Sequence, residues 1–165
     1  MVAAVVLAAG ASSRYGVSPP KQAVLLPEVL GRVRAAPSVA DVVVVVGAHE
    51  LETDARTVVC ADWTRGPGAS LRCGLRALGA EVEAAIVVLA DGPELAPEAV
   101  ERVVAAWRDS GAAVVAASYV GVRGHPVLLA RDAWESVPDE GARALEPVLV
   151  PCDDLGSPGD VDRRR

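Results

Sequence analysis

The chain predicts a three-layer α/β domain, with a largely parallel, Rossmann-like sheet held between helices. Three observations carry that expectation. Short runs of small and β-branched residues recur at residues 2–9, 41–46 and 84–90, with Asp41 opening the second as their one charge, the composition of strands buried on both faces. Amphipathic stretches alternate with these runs, most cleanly over residues 97–110, where Val100, Val103, Val104 and Trp107 share one stripe. The chain has 165 residues and is 52% hydrophobic, enough to bury one sizeable core, so residues 1–165 are expected as a single domain.

In chain order, residues 2–9 form the first strand. Gly10-Ala11-Ser12-Ser13-Arg14-Tyr15-Gly16 follows it. Glycines let backbone N–H groups turn inward as an anion-binding nest. Ser12 and Ser13 add hydroxyls, and Arg14 and Lys21 add positive charge. A strand running into such a loop places it at the carboxyl edge of the sheet, where open α/β folds bind ligands. The loop is no P-loop, because Gly10 and Gly16 stand one residue too far apart. Nor is it a dinucleotide fingerprint, because Ser12 occupies the place of the second glycine.

Pro27 suits a first helical turn, so a short helix carrying Val29, Leu30 and Val33 is expected from there to about Pro37. Residues 41–46 are the second strand, closed by Gly47, and His49 reads as a loop residue. Residues 57–60 make a short third strand. Leu71, Leu75 and Leu78 then define a helix whose N–H groups at Gly68 to Ser70 are expected to face outward. The fourth strand, residues 84–90, ends at Asp91 on the same edge as Gly10. Two readings stand for Asp91: a ligand for Mg²⁺, or an acid capping a turn. After the helix at 97–110, with Trp107 in the core, comes a strand over 112–120. Arg123-Gly124-His125-Pro126 reads either as an anion-binding group or as a strand-start turn with a solvated arginine. Residues 148–152 form a last strand.

Composition excludes several classes of function. A net charge of −6 argues against nucleic acid and acidic membrane surfaces as partners. No run is long enough to span a membrane. Cys60, Cys73 and Cys152 are widely spaced without a C-x-x-C, so three reduced thiols in a cytoplasmic protein are expected.

Five blocks carry a resemblance. Leu7-Ala8-Ala9-Gly10-Ala11-Ser12-Ser13-Arg14-Tyr15-Gly16 with Pro20-Lys21 resembles the signature L-A-A-G-x-S-S-R-x-G…P-K of the MobA-like nucleotidyltransferases. Asp62-Trp63, Gly66, Gly68-Ala69-Ser70-Leu71 and Gly74-Leu75 follow the D-W-x-x-G-x-G-S-S-L-x-x-G-L pattern, with Ala69 for the first serine. Leu89-Ala90-Asp91-Gly92-Pro93 matches L-A-D-x-P, and Arg123-Gly124-His125-Pro126-Val127-Leu128 matches R-G-H-P-V-L. Asp160-Val161-Asp162 matches D-V-D but runs on into three arginines. Within the family the chain looks most like the molybdenum-cofactor cytidylyltransferases, and Lys21-Gln22 favours them over the guanylyl branch.

The resemblance implies a GT-A-like nucleotidyltransferase fold and transfer of CMP from CTP to a phosphorylated acceptor such as molybdopterin. It implies Arg14, Lys21 and Asp91 as catalytic residues, and Mg²⁺ held by Asp91 and Asp162. Leu7, Ala8, Ala9, Gly10, Ser12, Ser13, Arg14, Lys21, Gly68, Ser70 and Asp91 would contact the nucleotide, Ser70 serving equally as a helix cap. Arg123, Gly124 and His125 would contact the acceptor, and a molybdoenzyme or its accessory protein is the implied macromolecular partner. The alternatives are GTP or a sugar phosphate as substrate, or a shortened, catalytically silent member that binds nucleotide or a partner.

Overall fold

The computed structural model describes residues 1–11 and 20–158. Its strands are β1 (Val2–Ala8), β2 (Val39–Val46), β3 (Arg56–Val59), β4 (Ala84–Leu89), β5 (Val114–Tyr119), β6 (Val122–Ala130) and β7 (Val148–Pro151). Its helices are α1 (Lys21–Arg34), α2 (Pro67–Arg76) and α3 (Pro97–Ser110). The strands form one seven-stranded sheet in the order β3-β2-β1-β4-β6-β5-β7. β6 alone runs against its neighbours, antiparallel to β4 and β5. The expected mostly parallel α/β architecture is what the chain adopts.

The alternation of side chains along each strand builds the two halves of the core. On one face Ala4, Val6, Val44, Ile86 and Val88 meet Leu26, Val29, Leu30 and Val33 of α1 and Val100, Val103 and Val104 of α3. On the other, Ala3, Val5, Val43, Val45, Ala85 and Val87 meet Leu71 and Leu75 of α2. The α2 layer sits close because Gly74 lies on the sheet, where an added Cβ would come within 2.5 Å of Val5.

Several expectations are corrected. The first helix does not open at Pro27; it begins at Lys21, with Pro27 inside it. A proline inside a helix costs about 3 kcal/mol. Burial of Leu26, Val29, Leu30 and Val33, worth roughly 1.5–3 kcal/mol each, outweighs that cost. Trp107 is only partly buried, at the margin of the α3 layer. Gly141–Leu145, where resemblance to the family's G-A-R-x-L segment implies a helix, holds only a single 3₁₀ turn, Ala142–Ala144. Cys60 and Cys73 are not free thiols: they are joined as a disulfide, because the end of β3 lies against α2, while Cys152 is free and buried. Among the described residues, no helix is long and apolar enough to cross a membrane.

Candidate nucleotide site

The strand order reverses around β1, which has β2 on one side and β4 on the other. Such a switch point opens a crevice at the carboxyl ends of the strands. Ala8 is level with Val46 of β2, and Leu7 with Leu89 of β4, so the chain segments leaving all three strands meet there.

Lys21, the first residue of α1, reaches across this crevice to Asp91, just beyond β4. Its Nζ lies 2.8 Å from Asp91 Oδ2, and both side chains are mostly shielded from water. Two residues seventy positions apart in the sequence thus stand in direct contact. Next to Lys21, buried Gln22 donates from Nε2 to the Gly10 carbonyl at 2.8 Å. His49, in the segment after β2, meets the Ala11 carbonyl through Nε2 at 2.7 Å. Gln22 and His49 were not expected at the site; a side chain bonded to a backbone carbonyl leaves no pattern in the sequence.

The second loop approaches differently from expectation. α2 starts at Pro67, behind Gly66 at φ +135°. The backbone of residues 138–139 lies across its first turn, so Gly68 N–H donates to the Asp139 carbonyl at 2.9 Å and does not face outward. A Cβ on Gly68 would fall 1.6 Å from the Pro138 oxygen. Ser70 is buried. Asp139 is held in place by Arg72 and Arg65, and these contacts pull its carboxyl below the usual range.

Between this loop and β6 lies a cavity of about 250 Å³. Leu7, Leu71, Val87 and Leu89 contribute apolar lining, with Arg123, Gly124, His125, Glu140 and Arg143 among its polar and backbone walls. Arg123 is no solvated arginine: its guanidinium donates to the Leu145 and Ala142 carbonyls at 2.6 Å each, tying the 3₁₀ turn to β6. Arg143, exposed at the rim, is a further cation there, one to which the sequence motif assigned no site role. His125 is half-buried and its pKa is pulled down to about 4, by burial first and then by the Arg123 charge, with Asp91 opposing. The Tyr119 hydroxyl donates to the His125 carbonyl at 2.6 Å, and burial pushes the Tyr119 pKa up to about 12. Gly124 gives this ring room, since a Cβ there would come within 2.9 Å of it.

The structure brings together Leu7, Gly10, Lys21 and Asp91 at one sheet edge and Arg123, Gly124 and His125 beside it, with Ala8 and Ala9 buried beneath. Ser12, Ser13, Arg14 and Asp162 lie outside the described residues.

The MobA-like NTP transferase domain family matches residues 4–149. The chain belongs to this family. Its members' general chemistry, nucleotidyl transfer, is the coarse activity that goes with that membership. Similar solved structures include a homologue of Mycobacterium tuberculosis Rv0371c from Mycobacterium sp. strain JC1. It is 26% identical, with a TM-score of 0.80, over 98% of this chain and 90% of that one. Rv0371c of M. tuberculosis H37Rv, in complex with manganese, is 21% identical at a TM-score of 0.71, covering 91% and 87%. CMP:2-keto-3-deoxy-manno-octonic acid synthetase complexed with CTP is 14% identical at 0.71, covering 98% and 93%. The last two likenesses show a shared fold. A comparison with curated proteins gives no match.

Proposed function

We propose that this MobA-like domain transfers CMP from CTP to a phosphorylated small-molecule acceptor of the molybdopterin type, releasing pyrophosphate. The observation that carries the reading is the contact of Lys21 with Asp91. A cation and an acid from separate motifs converge at the strand tips, beside the glycine-cornered turn where a triphosphate would lie. An acceptor phosphate oxygen attacks the α-phosphorus, a new P–O bond forms, and the bond to the β-phosphate oxygen breaks. Such a transfer needs no covalent enzyme nucleophile; it rests on positioning and on neutralising charge. Lys21 moves part of its charge from Asp91 to the α-phosphate as the leaving group develops. Pro67 and Leu71, on either side of the covered Gly68 and Ser70, line the cavity where the base and ribose would lie. Gly124 and His125 face the acceptor, His125 as a neutral hydrogen-bonding group. Arg123 shapes the rim, and Arg143 supplies the open cation for the acceptor phosphate.

Among the described residues, no three His, Cys, Asp or Glu side chains cluster as a ready-made metal cage. Asp91 fits Mg²⁺ in the other common way, one or two carboxylates with phosphate oxygens and water completing the shell. When bound, the ion would supply charge neutralisation on the phosphates. The manganese complex of Rv0371c supports a divalent ion in this fold, and the CTP complex of the synthetase supports a pyrimidine triphosphate.

The test is pyrophosphate release with CTP, GTP, UTP or ATP, Mg²⁺ and molybdopterin as acceptor. CTP is expected to give the fastest turnover. Lys21→Ala and Asp91→Ala are expected to lower it at least ~100-fold while circular dichroism stays that of the wild type. Unchanged turnover in either variant removes that residue's role. A preference for GTP moves the protein to the guanylyl branch, and no release with any triphosphate rejects the reading.

A further inference from the structure

Three consecutive carbonyls at the end of β1 are each held by a different donor. Ala9 O accepts from the Ala48 N–H at 3.0 Å. Gly10 O accepts from Gln22 Nε2 at 2.8 Å, and Ala11 O meets His49 Nε2 at 2.7 Å. A carbonyl can only accept, so His49 must carry its proton on Nε2 and the Gln22 amide must turn its NH₂ towards Gly10.

A peptide unit is planar and trans, so its N–H points opposite to its C=O. Holding the Ala9 carbonyl against the β2 segment turns the Gly10 N–H the other way. Holding the Gly10 carbonyl against α1 turns the Ala11 N–H away from α1. The clamp therefore sets the direction of the Gly10 and Ala11 amides. We propose that Gln22 and His49 are positioning residues for nucleotide binding, which hold the Gly10 and Ala11 carbonyls so that the Gly10 and Ala11 N–H groups meet the triphosphate. The proposal deepens the reading of this site as a nucleoside triphosphate site, and rests on it.

A second observation separates this role from simple packing. Gln22 Oε1 is buried and has no hydrogen-bond partner among the described residues. A buried unsatisfied oxygen carries a desolvation penalty, which offsets much of what the hydrogen bond to Gly10 contributes to stability, so an apolar side chain of the same length would change stability little. What Gln22 offers that methionine lacks is the donor to Gly10. His49 is only half-buried and brings little apolar packing, and what it offers is likewise its N–H.

The experiment measures CTP affinity in the presence of Mg²⁺ by calorimetry, together with the melting temperature of the nucleotide-free protein. Gln22→Met and His49→Leu are each expected to weaken CTP binding by about tenfold or more. His49→Gln, which keeps an N–H at similar reach, is expected to bind within about threefold of wild type. The melting temperature of nucleotide-free Gln22→Met is expected to stay within about 5 °C of that of wild type. If the wild type binds CTP and both variants bind it equally well, the clamp has no role and the proposal falls while the function stands. If affinity falls only in step with the melting temperature, if His49→Gln does not recover it, or if neither variant folds, the residues are structural and the proposal falls. If the wild type binds no triphosphate, the functional reading fails, and this proposal with it.

Discussion

Lys21 and Asp91 are 13% and 16% exposed, and charges so placed persist only as a pair. Their contact keeps the crevice electrically balanced. His125 shows the complementary effect, a group kept neutral by its surroundings. Its folded pKa of about 4 lies below its ordinary value of 6.5. Between those values the unfolded chain holds the proton and the folded chain does not, so stability falls as pH falls through that window. The slope for one such group approaches but does not exceed ~1.4 kcal/mol per pH unit. Urea unfolding followed from about pH 7 to pH 4 is expected to lose stability more steeply in the wild type than in His125→Asn, whose side chain does not titrate. Parallel curves for the two proteins would show that His125 is not held neutral by the fold.

Elements differ in how much of themselves the sequence reveals. β1 and β4 were legible because each is a buried run of small and β-branched residues without a charge, and β2 because Val42 to Val46 form an unbroken β-branched run after Asp41. α3 was legible to the residue, with Pro97 at its start and Gly111, at φ +67°, closing it. α1 was misjudged because proline chemistry points to a helix start, while the true start is fixed by what Lys21 and Gln22 reach across space. The α2 start, expected at Gly68 to Ser70, lies one residue earlier at Pro67, but its covering was hidden for a similar reason. Nothing near Gly68 announces that residues 138–139 will cross it. That crossing makes Gly68 a packing requirement as much as part of a binding motif. Gly68→Ala would place a methyl group 1.6 Å from the Pro138 oxygen, a backbone atom that cannot swing aside. Its cost is expected at or above the upper end of the ~1–3 kcal/mol typical of overpacking. Chemical denaturation measures it, and a variant as stable as wild type would mean that the 138–139 segment is free to lift off α2.

Over the whole molecule, class was legible and arrangement was not. Strands and helices in alternation imply an α/β sheet, but only the order β3-β2-β1-β4 puts Gly10 and Asp91 at neighbouring tips. The cysteines follow the same logic: spacing could not show that the end of β3 lies beside α2, which is what joins Cys60 to Cys73. β3 is a four-residue edge strand paired only with β2, so few backbone bonds hold it. The disulfide anchors this edge to α2 and closes the loop that carries Asp62, Trp63 and Gly66. For a sequence separation of 13, loop-closure entropy predicts a stabilisation of about 3 kcal/mol. In a chain of this length that corresponds to roughly 6–12 °C in Tm. Reduction, or Cys73→Ser, is expected to lower the melting temperature by that amount. A non-reducing peptide map is expected to link Cys60 to Cys73 and to leave Cys152 as a thiol. Three free thiols in protein unfolded without reductant would show that the bond does not form and that the β3 edge is held by its β2 ladder and packing alone.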